Sequence, residues 1–260
     1  MIITVDIGNT NIVIGGFCGD DIAFKSRIST DSKKTEDEYA VIIRNTISMY
    51  NINAAEISGA VISSVVPPLT TTMKKAIMLS FGVSSITVGP GVKTGIKIVC
   101  DSPAEVGADL ICASVAAHEI YNEATVVIDL GTATKFIILT EDGSYIGLSI
   151  APGVQMGINA LSSGTAQLPQ VGLEAPKSVI GKNTADCIKS GVILGHASMI
   201  DGMLDRITEE LGENWRFAAT GGLAESIIPN CRHKIEIDED LLLKGLKFIY
   251  DKNNSVRGKI

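Results

Sequence analysis

The chain carries one short pattern twice, about half its length apart, and this repetition narrows what it can fold into. Ile2-Ile3-Thr4-Val5-Asp6-Ile7-Gly8-Asn9-Thr10-Asn11 leads into an apolar stretch from Ile12 to Phe17. Thr125-Val126-Val127-Ile128-Asp129-Leu130-Gly131-Thr132-Ala133-Thr134 leads into Lys135-Phe136-Ile137-Ile138-Leu139. Each reads as strand, tight turn and return strand, with the first strand ending in Asp-x-Gly. The two aspartates lie 123 positions apart in 260 residues, the trace of a duplicated domain.

Further elements fit two α/β halves. Gly59 to Val66 reads as a buried strand ending at Pro67-Pro68, and Arg216 to Gly222 holds the comparable place in the second half. Helical periodicity from Glu38 to Tyr50 puts Tyr39, Ile42, Ile43 and Ile47 on one face. Ser102-Pro103-Ala104-Glu105 has the form of a capping box with proline at the first helical position, predicting a helix to about Tyr121. A long helix is expected from near Thr184 to Gly212, and a C-terminal one capped by Asp238. The predicted organisation is two lobes, residues 1–118 and 119–260, with a cleft between them and a hinge near 115–125.

Composition excludes several classes. With 29 acidic and 22 basic residues the net charge is −7, and no Lys/Arg stripe is present; the tail Val256 to Ile260 is too short to form one. Nucleic acid and anionic membrane are therefore not expected partners. The five cysteines (Cys18, Cys100, Cys112, Cys187, Cys231) form no CxxC and no Cys/His cluster, as in a reduced cytoplasmic protein. The N-terminus lacks a signal-peptide pattern, and no run of about 20 apolar residues predicts a membrane span.

The repeated turns carry the chemistry. Backbone N–H groups in a glycine-containing turn can cradle phosphate oxygens, and small side chains let phosphate come close. Asn9, Thr10 and Asn11 add side-chain donors, and Asp6 can hold a divalent metal or its water shell. Gly131, Thr132 and Asp129 repeat the arrangement, with Thr220-Gly221-Gly222 as a third small-residue turn. A single Asp-x-Gly is explained by a hairpin needing positive φ. Two copies plus the third turn favour a grip on polyphosphate from both lobes. Asp109, in Glu105-Val106-Gly107-Ala108-Asp109, is a candidate base for a hydroxyl under phosphorylation, although spacing alone favours a solvent-facing carboxylate. The chain has no GxxxxGK[ST] and no GxSxG, and His118, His196 and His233 read as structural or exposed. Gly89-Pro90-Gly91-Val92-Lys93-Thr94-Gly95 is a further anion-holding loop of low specificity.

Over nearly its whole length the chain resembles the type III pantothenate kinases. The likeness rests on Asp6-x-Gly8-Asn9-Thr10-Asn11, Ser63-Ser64-Val65-Val66-Pro67, the Gly89 to Gly95 loop, Glu105 to Asp109 and Asp129-x-Gly131-Thr132-Ala133-Thr134. It continues with Pro152-Gly153, Thr165-Ala166-x-Leu168-Pro169, Gly181-Lys182-Asn183-Thr184 and Thr220-Gly221-Gly222-x-Ala224. The resemblance implies two duplicated ribonuclease-H-like lobes of the actin-like ATPase kind and a homodimer. It implies ATP with a divalent metal such as Mg²⁺, and a monovalent cation, K⁺ or NH₄⁺. By that similarity Asp6, Ile7, Gly8, Asn9, Thr10, Asn11, Ile12 and Val13 bind ATP and Thr132 contacts its phosphates. Asp129 ligates the monovalent cation and Asp109 is the general base. Gly107, Ala108 and Thr184 line the pantothenate site. The chain departs from the family pattern at Leu110, where arginine is usual, and at Cys100, where a substrate-contacting tyrosine is usual. Ser102, Lys135, Ile137 and Leu148 are also atypical. Two other readings stand beside a pantothenate kinase. One is a paralogue phosphorylating another small alcohol; the other is a catalytically weak nucleotide-binding regulator.

Overall fold

The computed structural model describes residues 1–164, 168–212 and 214–254, and the chain divides into two compact units. The first holds residues 1–97, 101–120 and the segment from Leu241; the second holds 98–100 and 121–240. In the first unit β1 (Ile2–Ile7), β2 (Asn11–Cys18) and β3 (Asp21–Ser29) form an antiparallel meander. After α1 (Glu36–Met49), β4 (Gly59–Ser64) joins β1 in parallel. After α2 (Pro67–Phe81), β5 (Ser85–Thr87) completes a sheet of order β3-β2-β1-β4-β5. Next come β6 (Lys97–Ile98) and α3 (Ala108–Tyr121).

The second unit repeats the plan. β7 (Thr125–Leu130), β8 (Ala133–Leu139) and β9 (Ser144–Pro152) form the meander. Helices α4 (Val154–Gly164), α5 (Thr184–Lys189) and α6 (Gly195–Leu211) lead to β10 (Arg216–Thr220), which is parallel to β7. Then α7 (Ala224–Ile227), β11 (Glu236–Ile237) and α8 (Leu241–Asn254) follow. The sheet order is β11-β10-β7-β8-β9-β6, so five strands match those of the first unit and β6 adds an edge. Both hairpins, the strand at Gly59 and its counterpart at Arg216 lie where the sequence places them. No helix among the described residues is long and apolar enough to cross a membrane.

Local chemistry explains the elements. Thr35 and Glu38 form a reciprocal capping box on α1, which buries Tyr39, Ala40, Ile43, Thr46 and Ile47. Pro67 opens α2, where a missing N–H costs nothing, and Gly82 ends it at φ +69°. The helix expected from Thr184 to Gly212 is one rod with a π-helical turn, Ser190–Leu194, between α5 and α6.

Two expectations change. The helix expected from Ser102 begins only at Ala108: Ser102 makes no side-chain cap, Pro103–Glu105 is a single 3₁₀ turn, and Val106 is extended at φ −68°, ψ 119°. Asp109 therefore lies in the first turn of α3, where the helix N-terminus favours a carboxylate. The segment from Leu241, placed by the sequence in the second lobe, packs in the first unit, where α8 lies on β1, β2 and β4. Asp238, the residue expected to cap this helix, accepts the N–H of Asp240 at 3.0 Å just before α8.

Glycine sets how closely α8 approaches α3. A Cβ on Gly245 would overlap the carbonyl oxygen of Cys112, whereas one on Gly202, within α6, would meet nothing. Gly245→Ala is expected to cost about 1–3 kcal/mol through overpacking. Gly202→Ala should gain up to about 1 kcal/mol of helix propensity. Urea unfolding of the two variants checks both signs.

Candidate active site

In the first unit the parallel register of β1 and β4 sets Asp6 beside Ser63 at the end of the sheet where the turn begins. The turn is closed by the Gly8 N–H donating to the Asn11 carbonyl at 3.0 Å. Thr30 braces it twice: its hydroxyl donates to the Gly8 carbonyl at 2.7 Å, and its N–H donates to the Thr10 carbonyl at 3.0 Å. Asn9 and Thr10 are exposed, and Asp6, Gly8, Asn11 and Val13 are half-buried. Ile7 and Ile12 are fully buried, so they can offer a ligand only backbone. Gly8 does not have positive φ; a Cβ there would come within 3.0 Å of the Asn11 carbonyl oxygen. The bland explanation of this glycine, a turn needing left-handed backbone, therefore fails. Close backbone approach accounts for it.

Asp109 joins the same neighbourhood. Cys112, one helical turn further along α3, is fully buried, and burial pushes its thiol well above its ordinary pKa. The negative charges of Asp6 and Asp109 push it in the same direction. Two carboxylates far apart in sequence thus act on one buried thiol. Gly107 does not sit inside the helix, so its presence is not a tolerated helix defect. The group that approaches it is Asp109 itself: a Cβ on Gly107 would collide with the Asp109 carboxylate and lie 3.7 Å from Val65. Glycine there lets the carboxylate fold back over the start of α3. Ala108 is half-buried, and Leu110 is buried at 8% exposure.

In the second unit Asp129 occupies the matching place, beside Thr220 on β10 and opposite Lys135 on β8. Lys135 Nζ lies 3.0 Å from Asp129 Oδ2, with both side chains mostly buried. The turn itself is packed by remote glycines. A Cβ on Gly153 would overlap the Thr132 carbonyl, and one on Gly221, at φ +94°, would come within 2.6 Å of the Leu130 carbonyl. Gly131 is different: its backbone is not left-handed, and a Cβ would meet nothing closer than Asp129 at 3.4 Å. Neither backbone strain nor crowding requires glycine at 131, so the space over it is open. Thr132 and Gly222 are exposed. The Thr134 hydroxyl lies 2.8 Å from His196 Nε2, and burial lowers the pKa of that imidazole.

The remaining candidates are scattered. Cys100 is half-buried and belongs to the second unit, unlike Leu110, which belongs to the first. Thr184 is the exposed first residue of α5, which Asn183 caps by accepting the Asp186 N–H at 2.9 Å. Thr165 and Ala166 lie outside the described residues. Sequence reasoning missed three contributors: Cys112, Thr30, and Lys135 as the partner of Asp129. Only Lys135 had a readable signal, a charged residue in an otherwise apolar strand directly across the hairpin from an aspartate.

Comparisons with known proteins bear on the fold and the family. Two solved structures share that fold over nearly the whole chain. One is component A of the (R)-2-hydroxyglutaryl-CoA dehydratase of Acidaminococcus fermentans, with TM-score 0.58, 14% identity, and coverage of 98% of this chain and 100% of that one. The other is the ROK hexokinase of Thermus thermophilus, with TM-score 0.52, 10% identity, and coverage of 97% and 99%. A curated relative, the type III pantothenate kinase of Moorella thermoacetica, is 40% identical over 253 residues, 97% of this chain and 100% of its own length. The family model described as type III pantothenate kinase matches residues 2–206, a span that holds both Asp-x-Gly turns and Asp109. The chain belongs to the type III pantothenate kinase family.

Proposed function

We propose that the chain transfers the γ-phosphoryl group of ATP to the primary hydroxyl of pantothenate, giving 4′-phosphopantothenate, the first step of coenzyme A biosynthesis. The observation that supports this reading is that Val65 joins the two elements within the first unit: its N–H donates to the carbonyl of Ile7, next to Asp6, at 3.0 Å, and it lies 3.7 Å from where a Cβ on Gly107 would meet the Asp109 carboxylate. Gly8 to Asn11 in the first unit, and Gly131-Thr132 with Gly221 and Gly222 in the second, each offer backbone donors and small residues suited to phosphate oxygens. Asp6, half-buried near the end of β1, offers carboxylate oxygens of the kind that suit Mg²⁺. A divalent ion bound there neutralises phosphate charge. Asp109 accepts the hydroxyl proton as the phosphoryl group moves, because the pKa of a free alcohol is too high for prior ionisation.

Gly107, Ala108, Asp109 and Leu110 at the start of α3 are the first unit's candidates for the acceptor, and Cys100 and Thr184 are those of the second. Pantothenate carries a carboxylate, and neither the arginine nor the tyrosine usual in the family is present to meet it. One charge-assisted hydrogen bond is worth roughly 1.5–3 kcal/mol. Its absence weakens acceptor binding by about 10- to 150-fold unless another group supplies it. The burial of apolar Leu110 also favours a second reading, a less anionic small alcohol as acceptor. The chain works as a homodimer in this proposal. Support comes from apolar side chains left exposed in the second unit, Val179 and Ile180 at 73% and 78%, and Met156 and Leu161 on α4.

Four measurements test the reading. Asp109→Asn should lower kcat by about 10²- to 10⁴-fold with little change in ATP affinity; near-normal turnover would remove Asp109 as the base. Gly131→Ala should melt like wild type but raise the KM for ATP, because only a ligand uses the space over Gly131. Light scattering should give about twice 27.4 kDa, and an active monomer would sink the dimer. A coupled ATP-consumption assay across pantothenate, pantetheine and a panel of small alcohols separates the two acceptors.

A further inference from the structure

The family resemblance implies a free monovalent cation at Asp129, and the residues present do not fit one. Asp129 and Lys135 are directly opposed in the antiparallel register of β7 and β8, so their side chains share one face of the sheet. The Lys135 ammonium lies 3.0 Å from Asp129 Oδ2, and the two side chains are 21% and 12% exposed. A K⁺ ion on the same carboxylate would sit against an ammonium of equal charge in a poorly solvated place, where like charges repel strongly. The ammonium is itself a monovalent cation close to K⁺ in size, delivered by the chain and held by a strand.

We infer that Lys135 takes the place of the monovalent cation at Asp129, so that this protein binds nucleotide and folds without free K⁺ or NH₄⁺. Lys135 is then a positioning residue: it neutralises Asp129 beneath the Gly131-Thr132 turn and fixes the carboxylate. No step of phosphoryl transfer passes through a free ion there. The inference rests on the kinase reading of the same turn, but its structural half does not need the acceptor to be known.

The test compares wild type with Lys135→Thr in KCl and in choline chloride at equal ionic strength. Wild type should melt at the same temperature in both salts. Its affinity for a non-hydrolysable ATP analogue, measured by titration calorimetry, should differ by less than about twofold. Lys135→Thr should melt lower in choline and be raised by K⁺. Its nucleotide affinity should fall by about tenfold or more in choline and recover in K⁺, the scale expected when one partner leaves a largely buried ion pair. Lys135→Arg should keep the cation-insensitivity of wild type. A wild type that melts higher in K⁺, or a Lys135→Thr variant that folds and shows no response to cation, overturns the inference. The melting comparison uses no nucleotide. If neither protein binds the ATP analogue in either salt, the kinase reading fails while the melting temperatures still decide the role of Lys135.

Discussion

Parallel pairing of β1 with β4 and of β7 with β10 sets each aspartate beside a hydroxyl where a central strand ends: Asp6 beside Ser63, and Asp129 beside Thr220. That register is held by the core rather than by the polar groups. Ile3, Val5 and Ile7 on β1 and Val126, Ile128 and Leu130 on β7 are buried essentially completely. A slip of one residue would turn each of these sets to the opposite face and send the carboxylates with them. The apolar side chains therefore fix the position of charged groups they do not touch.

The turns that follow are shaped by glycines at close backbone approaches. Gly8 is crowded by Asn11 in its own hairpin, whereas the second turn is crowded from outside by Gly153 after β9 and Gly221 after β10. Only Gly221 among these has left-handed backbone. Two segments distant in sequence thus pack against the Gly131-Thr132 turn, and among the described residues neither fills the space over Gly131. Such a turn keeps its shape without ligand, and preorganised donors of this kind lose little freedom when phosphate arrives.

The duplication was legible because its signal is local: two β-branched runs, each ended by Asp-x-Gly, with a spacing that only a repeat explains. The matching strands at Gly59 and Arg216 followed from the same logic. Misreadings arose where local pattern and tertiary packing disagreed. Ser102-Pro103-Ala104-Glu105 has the letters of a capping box, yet Val106 is extended and the helix waits for Ala108. Gly107, expected within that helix, precedes it and gives clearance to the Asp109 carboxylate. The return of the segment from Leu241 to the first unit leaves no local trace at all, because it is written in the fit of Gly245 against Cys112. The clustering of Asp6, Cys112 and Asp109 was likewise invisible, since it joins a strand end to a helix more than a hundred residues later.

Duplication also shows where the two halves have parted. Asp6 is opposed across its hairpin by Val13, and Asp129 at the corresponding place by Lys135. One carboxylate keeps an uncharged cross-strand neighbour and the other is matched by a fixed ammonium. The chain as a whole carries a charge of −7, which opposes a polyanion unless local positive charge offsets it. A free cation recruited to the site must be dehydrated and immobilised each time it binds, and its occupancy depends on concentration. An ammonium on a β-strand has met those costs during folding. The exchange constrains the fold in return: Lys135 must stay directly across from Asp129, so the register of β7 and β8 carries a charge match in addition to its apolar packing.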